Sequence, residues 1–143
     1  EWPNHVLHDL EPNLKYPVPN SKDLKEADLA KFLKDYAAGQ LKPKYKSLPI
    51  PPAEEESSKA LRTVVYENWD AVVMDKNKDV LVELMAPWCG YCKRMQPTVE
   101  KLATKYAPHA SKIVIAQFDG HQNDLPQSAN FKLEHFPTFL LYK

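Results

Sequence analysis

The stretch Asp79-Val80-Leu81-Val82-Glu83-Leu84-Met85-Ala86-Pro87-Trp88-Cys89-Gly90-Tyr91-Cys92-Lys93 decides the fold. Residues 79–85 hold several consecutive apolar side chains, the pattern of a central strand covered on both faces. From about Cys89 the apolar positions Met95, Leu102, Ala103 and Tyr106 predict a helix, bent at Pro97. Cys89 and Cys92 are the only cysteines of the chain. At a strand-to-helix junction their spacing puts both sulfurs on one side, within bonding reach. Unpaired N–H groups of the first turn point toward the Cys89 sulfur and favour its thiolate. Cys89 is thus the candidate nucleophile, and the more covered Cys92 the candidate resolving thiol. A structural disulfide or an unreactive buried pair has the same spacing. Zinc usually wants four ligands, and with no second C-x-x-C, His121 and His135 help only if folding happens to bring them in. No metal is expected.

Glu83 interrupts an apolar strand. A carboxylate there is costly unless it has a partner or a purpose, the other reading being a solvent-facing or edge charge. Beyond the cysteines, residues 112–118 read as a second buried strand, 124–131 as a short helix and 138–142 as a last strand. Before them, 62–66 reads as a strand, and Asn68 as the cap of a short helix through Trp69, Ala71, Val72 and Val73. Strands alternating with helices argue a layered α/β sheet.

Residues 40–59 lose all periodicity. Pro43, Pro49, Pro51 and Pro52 restrict the backbone and remove donors, so an extended linker is expected, with Glu54-Glu55-Glu56 as a solvated acidic patch. Residues 1–39 form a separate piece. One or two short strands flank a turn near Glu11-Pro12-Asn13. A helix follows, with Ser21 as N-cap, an apolar stripe of Leu24, Ala27, Leu29, Phe32, Leu33 and Tyr36, and Gly39 as its stop.

The 143 residues suffice for a full domain or one domain with part of another. A content of 43% apolar and 27% charged residues fits a soluble globular protein. Formal net charge is zero, so no basic excess argues for nucleic acid or an anionic membrane. No apolar run approaches the roughly 20 residues of a membrane helix. The chain opens without a signal peptide and stops in a strand-like run, so an excerpt from a longer protein is expected.

Ala86-Pro87-Trp88-Cys89-Gly90-Tyr91-Cys92-Lys93, after Val82-Glu83-Leu84-Met85, resembles the active-site segment of the protein disulfide isomerases. Residues 60–143 resemble most of a catalytic a-prime domain of thioredoxin-like, three-layer α/β fold with a central mixed sheet. Its final strand and helix are missing in this comparison. Leu14-Lys15-Tyr16-Pro17 and the helix after it resemble the end of a b-prime domain, with 40–59 as linker. The resemblance implies a thiol-disulfide oxidoreductase and isomerase of the endoplasmic reticulum lumen, acting with chaperone character on unfolded or misfolded secretory proteins. No cofactor is implied. Redox partners would be glutathione or an upstream thiol oxidase.

The resemblance also implies site residues. Phe136-Pro137-Thr138 matches the cis-proline loop that presents a substrate backbone, although an ordinary strand-start proline reads the same. Trp88, Tyr91 and Phe136 would form an apolar substrate-facing surface, or for Trp88 simple packing. Pro87 and Gly90 shape the motif backbone. Glu83 would take the proton of the resolving cysteine. Two positions depart from the family. Tyr91 stands where most eukaryotic members have His, so Cys89 is expected to keep a higher pKa and the disulfide to be a weaker oxidant. Gln117 stands where relatives often have a lysine, so the pKa of Glu83 is expected to rise. A thioredoxin-type reductase and a non-catalytic polypeptide-binding chaperone module are the competing readings.

Overall fold

The computed structural model describes residues 5–11, 14–19 and 22–143. It divides into two compact units, Glu1–Tyr45 and Lys46–Lys143.

In the first unit β1 (Val6–Asp9) pairs antiparallel with β2 (Leu14–Pro17), Leu7 opposite Tyr16. The expected turn between them falls partly on Pro12 and Asn13, outside the described residues, as does Ser21. Helix α1 (Glu26–Ala37) begins with Lys25 in the N-cap position, four residues after Ser21. It ends at Gly39 with φ +68°, as its sequence indicates. Gly39 N–H reaches Tyr36 O and Gln40 N–H reaches Asp35 O, both at 2.9 Å, which satisfies two terminal carbonyls. The buried stripe is narrower than the sequence suggests. Phe32 is buried and Tyr36 half-buried, one turn apart, against Tyr16, Val18 and Leu24. Ala27, Leu29 and Leu33 are exposed, because the two-stranded sheet covers only one narrow face of the helix.

The second unit holds α2 (Ala53–Ser57), β3 (Arg62–Val64), α3 (Trp69–Val73), β4 (Asp79–Met85), α4 (Gly90–Tyr106), β5 (Ile113–Asp119) and β6 (Thr138–Tyr142). The strand order is β3-β5-β4-β6. β3 and β4 run parallel to β5, and β6 antiparallel to β4. Alternation along β4 sends Val80, Val82 and Leu84 to one face, where they pack with Trp69 and Val73 of α3 and with Phe118. Trp69 meets Phe118 edge-on at 5.2 Å between ring centres. Leu81 turns to the other face, with Ile115 and with Val99 and Ala103 of α4. Helix, mixed sheet and helix thus form the three-layer α/β fold, and β4 is central as its apolar run predicts.

Three local expectations are corrected. Residues 40–59 are not free of structure, since α2 forms after Pro52, a residue suited to a helix start. Glu56 there is buried rather than solvated, and its Oε2 accepts Thr63 N–H at 2.9 Å. Residues 124–131 make only the 3-10 turn Gln127–Ala129, closed by Asn130 at φ +48°. Pro126 holds Leu125 away from helical backbone, so no longer helix starts there. Asn68 precedes α3, but its side chain turns back: Oδ1 accepts Val65 N–H at 2.8 Å, and Nδ2 donates to Thr63 O at 3.3 Å.

Candidate active site

Both cysteines sit where β4 hands over to α4. Ala86 O accepts Cys89 N–H at 3.0 Å, closing a four-residue turn. Pro87 holds the second place of that turn, where its fixed φ fits. Cys89 is the N-cap of α4, and Cys92 N–H donates to its Sγ at 3.1 Å. A sulfur in that place accepts a first-turn donor at the positive end of a 17-residue helix. The arrangement favours negative charge on Cys89 when the pair is open. In this structure the two are joined as a disulfide, with Cα atoms 5.3 Å apart. Cys92 is fully buried and Cys89 is 5% exposed. Of the two cysteines, Cys89 is thus the one that retains some exposure.

Around them stand residues from three segments. Ala86, Met85 and Phe136 pack with the two cysteines. The Phe136–Pro137 peptide is cis, and Thr138 Oγ1 donates to His135 O at 2.8 Å across that bend. Phe136 meets Trp88 edge-on, with ring centres 5.7 Å apart. The Trp88 ring is otherwise open, at 64% exposure, and Tyr91 is open at 69%. Gly90 and Pro87 are exposed. All four substrate-side candidates, Trp88, Tyr91, Phe136 and Pro137, therefore lie near the turn or on the loop that packs against it.

Glu83 is buried in β4, at 1% exposure. It lies on the same face as Met85, which packs against the cluster of Ala86, Cys89 and Cys92. Gln117 stands directly beside it in β5 and donates from Nε2 to Glu83 Oε2 at 2.9 Å. The second hydrogen of that amide goes to Gln96 Oε1 at 2.7 Å, and Gln96 Nε2 continues to Glu100 Oε1 at 2.9 Å on the helix surface. Glu83 Oε1 has no donor among the described residues. Burial pushes the Glu83 carboxyl above its ordinary value, and the Gln117 hydrogen bond only partly opposes this. A neutral amide thus positions the carboxylate without compensating its charge.

Several neighbours escape a reading of spacing alone. A Cβ on Gly120 would lie 2.6 Å from Leu133 Cδ2 and 2.9 Å from Phe136 Cε1, so only glycine leaves room for Phe136. The imidazole of His121 stands nearly perpendicular to the Trp88 ring, with ring centres 6.1 Å apart. The Arg94 guanidinium lies over the Tyr91 ring at 4.3 Å. Of these, only the Tyr91/Arg94 pair carries a local signal, an aromatic and a cation three residues apart on a helix.

Residues 60–143 match the Thioredoxin family. A Schizosaccharomyces pombe protein provisionally named a disulfide-isomerase is 43% identical over 143 residues, covering 100% of this chain and 27% of the relative. The Aspergillus niger protein disulfide-isomerase is 37% identical over 145 residues, covering 99% of this chain and 27% of its own length. The chain therefore spans about a quarter of the length of these relatives. Among solved structures, the first thioredoxin domain of mouse Protein disulfide-isomerase A4 aligns with a TM-score of 0.51 at 31% identity, over 59% of each chain. The chain belongs to the thioredoxin family, and its relatives place it among that family's protein disulfide isomerases.

Proposed function

We propose that this chain carries a catalytic segment that forms, reduces and rearranges disulfides in substrate proteins. The observation that carries the reading is the Cys89 sulfur, capping α4 and accepting the Cys92 N–H, beside a fully buried partner cysteine. In the reducing direction the Cys89 thiolate attacks a substrate sulfur, forming a mixed disulfide and releasing the other substrate thiolate. Cys92 then gives up its proton, with buried Glu83 as acceptor, and attacks Cys89 Sγ. The second substrate thiolate leaves, and the Cys89–Cys92 disulfide re-forms. Run backwards, the same steps oxidise a dithiol. Stopping at the mixed disulfide and returning through another substrate thiol rearranges bonds.

Trp88, Tyr91 and Phe136 supply apolar contact to unfolded or misfolded chains, and the cis Pro137 peptide offers backbone to an extended segment. By kinship with the isomerases, residues 60–143 act as an a-prime domain behind a b-prime end at 1–39. The working compartment is then the endoplasmic reticulum lumen, with secretory proteins as clients and glutathione or a thiol oxidase as electron partner.

Equilibration with glutathione, read by thiol trapping and mass spectrometry, tests the reading. A Cys89/Cys92 potential near about −180 mV fits an isomerase, whereas one near about −270 mV fits a dedicated reductase. Retention of refolding activity on scrambled ribonuclease by Cys89→Ser would remove the dithiol from the mechanism and leave only a binding module.

A further inference from the structure

Arg94 stands one turn into α4, outside the roles assigned above. Its guanidinium lies 4.3 Å from the centre of the Tyr91 ring. A methyl group on Gly90 would sit 3.8 Å from Arg94 Nη1. The side chain is therefore folded back along the first turn of α4, the turn whose Cys92 N–H reaches Cys89 Sγ. Gly90 places no side chain between that charge and the backbone. Arg94 and Tyr91 are both exposed, and among the described residues no carboxylate pairs with the guanidinium. Its face is occupied by the ring, while its edge keeps the fork of donors that binds a carboxylate.

We propose that Arg94, held over Tyr91, receives the anionic groups of incoming disulfides and biases the site toward carboxylate-bearing small disulfides. The inference rests on the oxidoreductase reading above. When the Cys89 thiolate attacks a negatively charged disulfide, like charges approach one another, and a cation fixed beside the first turn offsets that repulsion. Arg94 acts on this first step, in which the substrate S–S bond breaks, the Cys89–substrate S–S bond forms and the departing thiolate takes a proton from solvent. The two electrons that reduce the substrate come from the cysteine pair when Cys92 closes the Cys89–Cys92 disulfide. An exposed cation acts mainly on encounter and is screened by salt.

The test uses the whole chain, reduced beforehand, and measures second-order rates with glutathione disulfide (anionic), hydroxyethyl disulfide (neutral) and cystamine (cationic). For Arg94→Gln the glutathione-to-hydroxyethyl rate ratio is expected to fall about fivefold at low salt, the cystamine ratio to rise, and both changes to shrink at molar salt. Arg94→Lys should restore part of the ratio. Lys93→Gln, which removes the same charge from the neighbouring residue, should move it less. Equal ratios in wild type and Arg94→Gln overturn the inference, as does a Lys93→Gln shift as large as that of Arg94→Gln. A wild-type protein that reduces none of the three disulfides overturns the oxidoreductase reading and this inference with it. That result is distinct from one that reduces all three without regard to charge.

Discussion

With one oxygen held by the Gln117 amide and the other lacking a donor among the described residues, Glu83 illustrates at the residue scale how burial sets chemistry. Its carboxyl keeps its proton to higher pH in the folded chain than in the unfolded one. The folded state then binds more protons across that window. Stability is full below the unfolded value and falls as pH rises toward the folded value. Glu83→Gln removes the charge, so its urea midpoint should decline less than that of wild type over this window. Parallel pH profiles for the two proteins would count against the shift. The same variant should leave the mixed disulfide on Cys89 long-lived, slowing resolution on the order of 10²-fold, as read by trapping and mass spectrometry. The sequence points to Glu83 as a lone carboxylate in an apolar strand, and to Gln117 only through the resemblance to the isomerases, as a departure from their usual lysine. The bond between them depends on the parallel register that places Gln117 beside Glu83.

Among the elements, the contact of β5 with the cis-proline loop turns on one glycine. Gly120 N–H donates to Met85 O at 2.9 Å, tying the ends of β5 and β4 together. Its missing side chain leaves space for Leu133 and Phe136. Phe136 in turn supports Trp88 and closes over the cysteines. Gly120→Ala should therefore cost about 1–3 kcal/mol, since the Phe136 ring must yield as well as the flexible end of Leu133. The Trp88 indole resonance should shift with it. An unchanged melting temperature with an unmoved Trp88 signal would refute this packing account. A glycine after a strand reads equally well as an ordinary turn, so only the folded neighbours reveal why it is needed.

For the whole molecule, the second compact unit begins earlier than the helix-strand alternation suggests. Lys46 and Asp124 exchange bonds: Asp124 Oδ2 accepts Lys46 N–H and Lys46 O accepts Asp124 N–H, both at 2.8 Å. Buried Asn123 accepts Leu48 N–H at 2.8 Å and Tyr66 N–H at 3.4 Å, while its Nδ2 donates to Asp119 O at 2.9 Å. One side chain thus ties the proline-rich segment, the end of β3 and the loop after β5 together. Asn123→Ala removes the side-chain acceptor of Leu48 N–H, while Asp119 O keeps the Asn123 backbone N–H at 3.0 Å, and should destabilise the unit by about 1–3 kcal/mol. Amide exchange at Leu48 should accelerate together with Tyr66. Slow exchange at Leu48 in the variant would mean that Asn123 does not hold the segment.

The sequence by itself determined the strands at residues 79–85 and 138–142, the helix that starts at the cysteines, the Gly39 stop and the closely spaced cysteine pair. Each of these is written in near neighbours: apolar runs, turn chemistry and the spacing of two sulfurs. Tertiary structure alone decided the strand order β3-β5-β4-β6, the burial of Glu56, the exposure of Leu29 and Leu33, the room that Gly120 leaves and the amide chain from Glu83 to Glu100. Those depend on which segments the fold brings together, from a neighbouring turn to a strand tens of residues away. Burial and hydrogen bonding are set by which surfaces meet, and local pattern does not specify the meeting.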